Sequence, residues 1–462
     1  MFDTFNEFTA GPAEHGNTYG INRQLFFLKS GNNQKHILYQ DKSNGDLNLL
    51  SLTPDFFFQK EITLAKTPAE ILLAATNDES GNIYIFSSQT GTAVSEGSLK
   101  VKLRKFQAEG KLILEKDYDT TKKGFNIHNI SSSIIKGSSV ASMMFHKDKI
   151  LLILSRTMHK SADGVNHQGA IGVVINPQSL EVLSHTGQTS GHSFGNFITS
   201  IEDGFIAIDL GDNYPRGIHL HKFVDTKRTS RVVFTMKTQH GTKEKNSSGK
   251  TFPPYTEIST PSKQYYKWSN DNRTYTEIGG VVETKEGYLV VFASEFPSLD
   301  NASTNENLNQ PRNLALVHIR KNFHSIKGYG NQVPDEIMIN PGNPEEASFF
   351  NYNGGESKQR NTGIIKLTNY KEKSINVSRP RIIPLGNDAY FIYYEEWTPK
   401  DYITAKTLII NASGKILAGI EDSGSIFRIN RQDDIYSDQG AVFTLQGNSE
   451  EKTIEINFLR LP

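Results

Sequence analysis

Short runs of alternating apolar and polar residues recur along the chain, separated by turns rich in Gly, Asn and Asp. Toward the C-terminal end, such runs start near Ser378, Asn387, Thr404 and Gly414. Runs of this length, with period two and many β-branched or aromatic residues, predict β-strands. The same order of strand, turn, strand and loop returns near Phe197 and Gly279, so the pattern indicates a repeated unit.

Seven such units can be counted. They span about Gln24–Leu64, Ala69–Tyr118, Ser139–His185, Gly191–Met236, Glu277–Lys327, Ser378–Ile420 and Phe427 to the end of the chain. A four-stranded unit repeated at this spacing is typical of a β-propeller. The predicted fold is therefore all-β, a single seven-bladed β-propeller over residues 1–462. Six blades are the alternative, if the first and last units combine.

Two long segments fit no blade, at about 239–275 and 328–373, and are interpreted as insertions. The last unit also has only three apolar runs, near Phe427, at Ala441–Leu445 and at Thr453–Leu459. The segment Phe2–Thr9 alternates Phe with polar residues. Because an unpaired sheet edge is a liability, this N-terminal segment is predicted to supply the missing strand and close the ring.

Composition narrows the function classes. Lys+Arg and Asp+Glu both number 50, which disfavours binding to duplex nucleic acid. The chain has no cysteine, which excludes disulfides, thiolate catalysis and cysteine metal sites. No apolar run is long enough to predict a membrane-spanning helix. Cysteine-free composition favours an exported bacterial protein, so a secreted or extracellular location is expected. The N-terminus lacks a signal-peptide pattern, so a cytoplasmic location is the alternative.

In a propeller, the loops between blades and the loops joining the second and third strands lie on one face. Polar residues in these loops should converge around the ring axis on this face. They give seven candidate ligand-binding residues: His192, Asp209, Asp212, Arg216, Glu295, Arg379 and Glu395. Crowded carboxylates can act as acid or base, so Asp212, Glu295 and Glu395 are also candidate catalytic residues. The plainer interpretation is that these residues cap strand ends or tie blades together.

Two further features are aromatic or imidazole-rich. Tyr265 and Trp268, in the first insertion, are candidate ligand-binding residues because exposed aromatic rings stack on sugars or dock onto proteins. The alternative is that they pack the insertion onto its own blade. His219 and His221 share one strand face, but zinc would need a third ligand. They are interpreted as two half-exposed histidines on an outer strand, no metal site is predicted, and no cofactor is indicated.

The phrases at 191–194 and 209–216, and those at 379–381 and 395–397, are similar to phrases in microbial propeller-type repeat proteins. The chain resembles the broad β-propeller superfamily, which implies a fold and no particular activity. The leading hypothesis is a non-enzymatic recognition module that binds a glycan or protein ligand at the axial face. One alternative is a carbohydrate-active hydrolase or lyase using carboxylates from several blades. Another is a structural or carrier component of a secreted bacterial toxin or injection assembly.

Overall fold

The chain folds almost entirely into β-strands. The computed structural model describes residues 23–31, 33–41, 43–89, 100–120, 127, 141–160, 162, 164, 168–190, 193–211, 217–235, 275–296, 311–326, 335–342, 345–350, 356–399, 401–424, 428–430, 432–448, 453–459 and 461. These described residues form 29 strands and one 3-10 helix at Asp335–Ile337, with no α-helix among them. No helix in this described part has the length and apolar character to cross a membrane.

Blades 1 to 3 are four-stranded antiparallel sheets. Their strands are β1 (Leu25–Lys29), β2 (Lys35–Gln40), β3 (Asp46–Leu52), β4 (Phe58–Lys66), β5 (Glu70–Asn77), β6 (Ile83–Gln89), β7 (Val101–Phe106), β8 (Leu112–Tyr118), β9 (Ala141–His146), β10 (Lys149–Thr157), β11 (Gln168–Ile175) and β12 (Val182–Ser190).

Blades 4 and 5 are also four-stranded, and a separate two-stranded hairpin interrupts blade 5. Their strands are β13 (Ser193–Ile201), β14 (Gly204–Gly211), β15 (Gly217–Val224), β16 (Lys227–Thr235), β17 (Glu277–Glu283), β18 (Gly287–Ser294), β19 (Asn313–Arg320), the hairpin β20 (Glu345–Phe350) and β21 (Glu356–Asn361), and β22 (Ile365–Lys366). Strand β22 pairs with β19 and completes blade 5.

Blade 6 has four strands, and blade 7 has three within the described residues. They are β23 (Asn376–Gly386), β24 (Ala389–Trp397), β25 (Tyr402–Ile410), β26 (Ile416–Gly424), β27 (Tyr436–Asp438), β28 (Ala441–Asn448) and β29 (Thr453–Leu459). The innermost described strand of blade 7 is thus β27, and Phe427, near which a strand was expected, lies outside the described residues.

The burial of each strand explains why the pattern of apolar and polar residues predicted the strands. The second strand of each blade is covered on both faces by neighbouring blades; β18, for example, is buried along its whole length. Strands covered on both faces are nearly continuous apolar runs, whereas outer strands such as β4 are mostly exposed and carry alternating charges.

The sheets form a closed ring of seven blades. Inner strands of successive blades pack against each other from β1 to β5, β9, β13, β17, β23 and β27, and β1 also contacts β28. A shared apolar core joins the first and last blades and includes Leu25, Ile37, Phe443 and Leu445. The seven-bladed prediction is confirmed, and the six-bladed alternative is excluded because blades 1 and 7 are separate sheets. Phe2–Thr9 lies outside the described residues.

Candidate functional site

The connections between blades and the loops after each second strand lie on the same face, here called the upper face. Asp209, Glu295, Arg379 and Glu395 all lie at this end of their strands, and all four side chains are fully buried. Their burial places them beneath the surface, between or within blades. His192, Asp212, Arg216, Tyr265 and Trp268 lie outside the described residues.

Glu395 is held by four protein donors. Its Oε2 accepts from Arg379 Nη1 at 2.7 Å and from Trp397 Nε1 at 2.7 Å. Its Oε1 accepts from Tyr393 Oη at 3.0 Å and from the backbone N–H of Ile429 at 2.9 Å. Two donors on each oxygen fill the hydrogen-bonding capacity that an ionised carboxylate ordinarily uses. Glu395 therefore ties blade 6 to the chain that enters blade 7.

Backbone geometry places Arg379 for this role. The pairing of β23 with β24 is irregular between Ser378 and Arg381, and Arg379 has φ = +51°. A bulge of this kind re-aims the side chain it carries. The Arg379 guanidinium consequently lies 4.7 Å from the Trp397 ring centroid while it pairs with Glu395.

A second carboxylate ties blade 5 to blade 6. Glu277, the first residue of β17, accepts from Arg312 Nη2 at 2.5 Å and from Ser378 Oγ at 2.9 Å. It also accepts from the backbone N–H of Arg379 at 2.9 Å. Around Glu295, the next buried carboxylate, the hydroxyl of Ser294 donates to the Glu295 carbonyl oxygen at 2.8 Å.

Asp209 belongs to a polar chain that crosses blade 4. Its Oδ2 lies 3.3 Å from His221 Nε2, and His221 Nδ1 lies 2.7 Å from Ser230 Oγ. Burial opposes ionisation of Asp209, but the adjacent His221 and His219 leave its pKa lowered overall. His219 and His221 lie on the third strand of blade 4 and are 6% and 0% exposed, so the expectation of half-exposed histidines on an outer strand was wrong.

No group of three or more metal-ligating side chains comes together within the part of the chain that the structure describes.

The segment before β27 contacts blades 4 and 6. Arg381 Nε donates to the Asp433 carbonyl at 2.6 Å, and Nη2 donates to the Asn430 carbonyl at 3.3 Å. The same guanidinium lies 4.8 Å from the ring centroid of Phe197, in blade 4. One side chain of blade 6 thus touches blade 4 and the entry to blade 7. We call the cluster of Arg23, Gly195, Arg381, Gln432, Asp433 and Asp434 the axial mouth.

Charge in the axial mouth is paired yet partly accessible. Arg23 Nε donates to the backbone carbonyl of Gln432 at 3.0 Å, and Arg23 Nη1 pairs with Asp434 Oδ2 at 2.7 Å. The two side chains remain 16% and 32% exposed. Burial raises the pKa of Asp433. For Arg23, burial opposes protonation, but Asp434 and its neighbours leave the pKa raised.

The side chain of Gln432 is the unusual member of the axial mouth. It is 5% exposed, and its Oε1 has no hydrogen-bond partner in the described structure. Its Nε2 approaches Gly195 so closely that a Cβ there would lie 2.9 Å away. A buried carboxamide oxygen left without a partner is costly, so a water or a ligand group is expected to complete its hydrogen bonding.

The sequence predicted that polar residues gather on the upper face, but it did not identify Arg23 or Gln432 as candidate site residues. The available signal was the polar run from Arg428 to Asp434, which occupies a position where an inner strand was expected. Such a break in an otherwise apolar strand position indicates a functional or structural exception.

No protein-family model matches the chain, and no curated protein matches it. Among solved structures, a protein of unknown function from Dyadobacter fermentans DSM 18053 is similar at 8% identity and a TM-score of 0.39, covering 89% of this chain and 97% of that one. A Synechocystis apocarotenoid oxygenase is similar at 8% identity and a TM-score of 0.38, covering 91% and 77%. The WD40 domain of SCAP from fission yeast follows at 9% and 0.33, covering 96% and 94%. At these scores the likenesses carry no argument about function.

Proposed function

We propose that the protein is a non-enzymatic recognition module that binds a glycan or protein ligand at the axial mouth. The carrying observation is the buried Gln432 carboxamide, whose Oε1 has no hydrogen-bond partner in the described structure. An unsatisfied buried polar group costs about 1–3 kcal/mol, and a ligand that completes it recovers much of that cost. Arg23, which forms a partly accessible ion pair with Asp434, donates to the backbone carbonyl of the same residue.

A glycan is the ligand class that this chemistry favours. The carboxamide offers a donor and an acceptor, Asp434 offers acceptors, and the Arg23 guanidinium offers donors. Sugar hydroxyls both donate and accept, so they can bond to each of these three kinds of group. Because Arg23 and Asp434 already neutralise each other, a neutral polyhydroxylated ligand fits better than a strongly charged one. A protein ligand would have to present a side-chain amide or hydroxyl in the same place.

The hydrolase or lyase alternative requires two carboxylates facing one substrate. Glu395, one of its three candidates, directs both oxygens at protein donors. That arrangement supports a structural role for Glu395, and it is one reason for favouring recognition over cleavage.

The proposal is tested with a glycan array, followed by calorimetry on the glycans that bind. Gln432→Leu removes the carboxamide, and Gly195→Ala places a methyl group 2.9 Å from Gln432 Nε2. Each is expected to weaken binding about tenfold, equivalent to about 1.4 kcal/mol. Gln107→Leu, on an exposed turn of blade 2, is the matched control and should bind like the wild type.

An array without any bound glycan would remove the glycan part of the proposal. Binding that survives both Gln432→Leu and Gly195→Ala unchanged, in folded proteins, would place the ligand elsewhere.

A further inference from the structure

One arginine of the upper face lacks the oxygen partners that its neighbours have. Arg23, Arg379 and Arg381 each donate to oxygen atoms of the protein. Within the described part of the chain, Arg428 makes no hydrogen bond and no ion pair, and its guanidinium instead lies 4.7 Å from the ring centroid of Tyr402. The Arg428 side chain is partly exposed, so its N–H groups are available to a ligand.

The position of Arg428 is fixed by the residue that follows it. The backbone N–H of Ile429 donates to Glu395 Oε1 at 2.9 Å, and the Ile429 side chain is buried in the core between blades 6 and 7. The chain next to Arg428 is therefore anchored to blade 6. A side chain on an anchored backbone has less freedom to lose when it binds a ligand.

Tyr402 is itself supported by an aromatic neighbour. Its ring meets the Trp397 ring edge to face, with centroids 5.5 Å apart, and the Arg379 guanidinium lies 4.7 Å from the Trp397 ring centroid. A guanidinium that stacks on an aromatic face keeps its N–H edge free for planar, bidentate bonding to a carboxylate. We call Arg428 and Tyr402 the arginine platform.

The arginine platform lies close to the axial mouth along the chain. Tyr402 begins β25 and Arg428 lies in the link between blades 6 and 7, and both positions belong to the upper face. Arg428 precedes Gln432 by four residues, so their Cα atoms are at most roughly 14 Å apart. A short oligosaccharide can therefore extend from the axial mouth to the arginine platform.

We propose that Arg428 binds a carboxylate of the glycan, so that the ligand is an acidic oligosaccharide. Its neutral sugar unit occupies the axial mouth, and a neighbouring unit carries the carboxylate to the arginine platform. Arg23 is already neutralised by Asp434, whereas Arg428 has no carboxylate partner among the described residues, so the negative charge of the ligand is matched at Arg428. This role of Arg428 rests on the proposed function and narrows the glycan to an acidic one.

Matched glycans test this role. Oligosaccharides that bind in the array are compared with counterparts that differ at one sugar unit, which carries a carboxylate, its methyl ester or a sulfate ester. Calorimetry with these ligands is run on the wild type, Arg428→Gln, Tyr402→Phe and Tyr402→Leu. Arg320→Gln, which removes an exposed arginine at the lower end of blade 5, is the matched control.

The carboxylate form should bind the wild type about tenfold more tightly than its methyl ester, because hydrogen bonds between two charged groups are the stronger ones. Arg428→Gln should remove this preference without weakening the methyl ester, and Arg320→Gln should leave both affinities unchanged. Tyr402→Phe, which keeps the ring, should keep the preference, whereas Tyr402→Leu should reduce it. The preference should also shrink as the salt concentration rises.

Melting temperatures show whether each variant folds. Arg428→Gln should melt like the wild type, because the side chain makes no hydrogen bond within the described structure. If Arg428→Gln does not fold, Arg428→Lys, which keeps the charge without the planar fork, should lose most of the preference for the carboxylate form.

Equal binding of the carboxylate and its methyl ester, or a preference that survives Arg428→Gln, would overturn the role of Arg428 and leave the axial mouth as the glycan site. Tighter binding of the sulfate ester would overturn it as well, since Arg428 would then select charge and not a carboxylate. Binding that depends on Arg428 but not on Gln432 would support the arginine platform and remove the axial mouth from the proposed function. An array without any bound glycan would overturn both.

Discussion

Replacing Glu395 by Gln should destabilise the protein strongly, although the two side chains have nearly the same shape. The carboxylate is fully buried and accepts from Arg379, Trp397, Tyr393 and Ile429. An amide removes the negative charge and turns one acceptor into a donor. If the new NH₂ group faces Arg379 and Trp397, both of those N–H groups point at another donor and lose their acceptor. If it faces Tyr393, that hydroxyl can rotate and accept, but the Ile429 N–H loses its partner.

The magnitude follows from these contacts. A hydrogen bond to a charged group contributes about 1.5–3 kcal/mol, and breaking a buried ion pair by removing one partner costs about 3–5 kcal/mol. The contacts share one carboxylate, so their energies do not add. We therefore expect Glu395→Gln to lower the free energy of unfolding by about 3–5 kcal/mol. Tyr393→Phe, which removes one donor, should lower it by about 1 kcal/mol.

Urea unfolding measures this loss. The chain has two tryptophans, Trp268 and Trp397, so a Trp268→Phe background leaves Trp397 as the reporter beside Glu395. Glu181→Gln is the surface control: Glu181 is 63% exposed and pairs only with Lys116 among the described residues, so its loss should change stability by less than about 0.5 kcal/mol.

The loss of unfolding free energy should be largest for Glu395→Gln, smaller for Tyr393→Phe and smallest for Glu181→Gln. This order tests whether Glu395 links blade 6 to the chain that enters blade 7. If the free energy of unfolding of Glu395→Gln is within about 1 kcal/mol of the wild-type value, the hydrogen bonds of Glu395 do not hold these blades together. A stable Glu395→Gln protein that had lost cleavage of a carbohydrate would instead revive the enzymatic alternative.

Three other outcomes are expected. Asp209→Asn should have a lower free energy of unfolding than the wild type at pH 7, and this difference should shrink in acid. The folded pKa of Asp209 lies below its ordinary 3.8, so its contribution to stability is present above that value and is lost as the pH falls through the folded pKa. A stability difference that does not change with pH would contradict this. Gly204→Ala should cost at least about 2 kcal/mol, because φ is +153° and the new Cβ would lie 2.1 Å from the Phe223 carbonyl oxygen, whereas Gly419→Ala meets nothing within 4 Å and should be neutral in the same thermal melts. Trp268→Ala should weaken glycan binding by about 1–3 kcal/mol in calorimetry without moving the unfolding transition, and loss of the fold would instead assign that ring to packing.

The fold could be predicted because period-two alternation and turn residues are local properties of a strand. Strand β18, which is buried on both faces, is a continuous apolar run in the sequence. Strand β22 could not be predicted, because two residues, Ile365 and Lys366, carry no periodicity and pair only through tertiary placement. The hairpin of β20 and β21 lies in the same segment and is similarly weak in local pattern.

The candidate site was predictable only as a face. Strand order placed Arg379 and Glu395 at the upper end of their strands, but nothing in the sequence shows that they pair with each other beneath the surface. That contact depends on the bulge between Ser378 and Arg381, which re-aims the arginine. Gln432 was missed because its position depends on a non-strand segment that contacts blade 4, and such a contact leaves no periodic signal.

One side of the axial mouth, formed by Arg23 and Asp434, lies on the seam where blades 7 and 1 meet. Arg23 precedes β1 and pairs with Asp434 at the upper end of this seam. Lys29 and Lys35 pair with Asp438 at its lower end. Between them, the rings of Phe27 and Phe443 meet edge to face, 5.0 Å apart.

A ligand held by Arg23, Asp434 and Gln432 would therefore bridge the two blades whose separation opens the ring. Binding to the closed ring alone stabilises it by about 2.7 kcal/mol at a hundredfold excess over Kd. Amide hydrogen exchange in β1 and β28 should then slow when a glycan selected on the array is added, while β10 and β11, in blade 3, should change less. Uniform protection of all blades would show that the ligand stabilises the protein without acting on the seam.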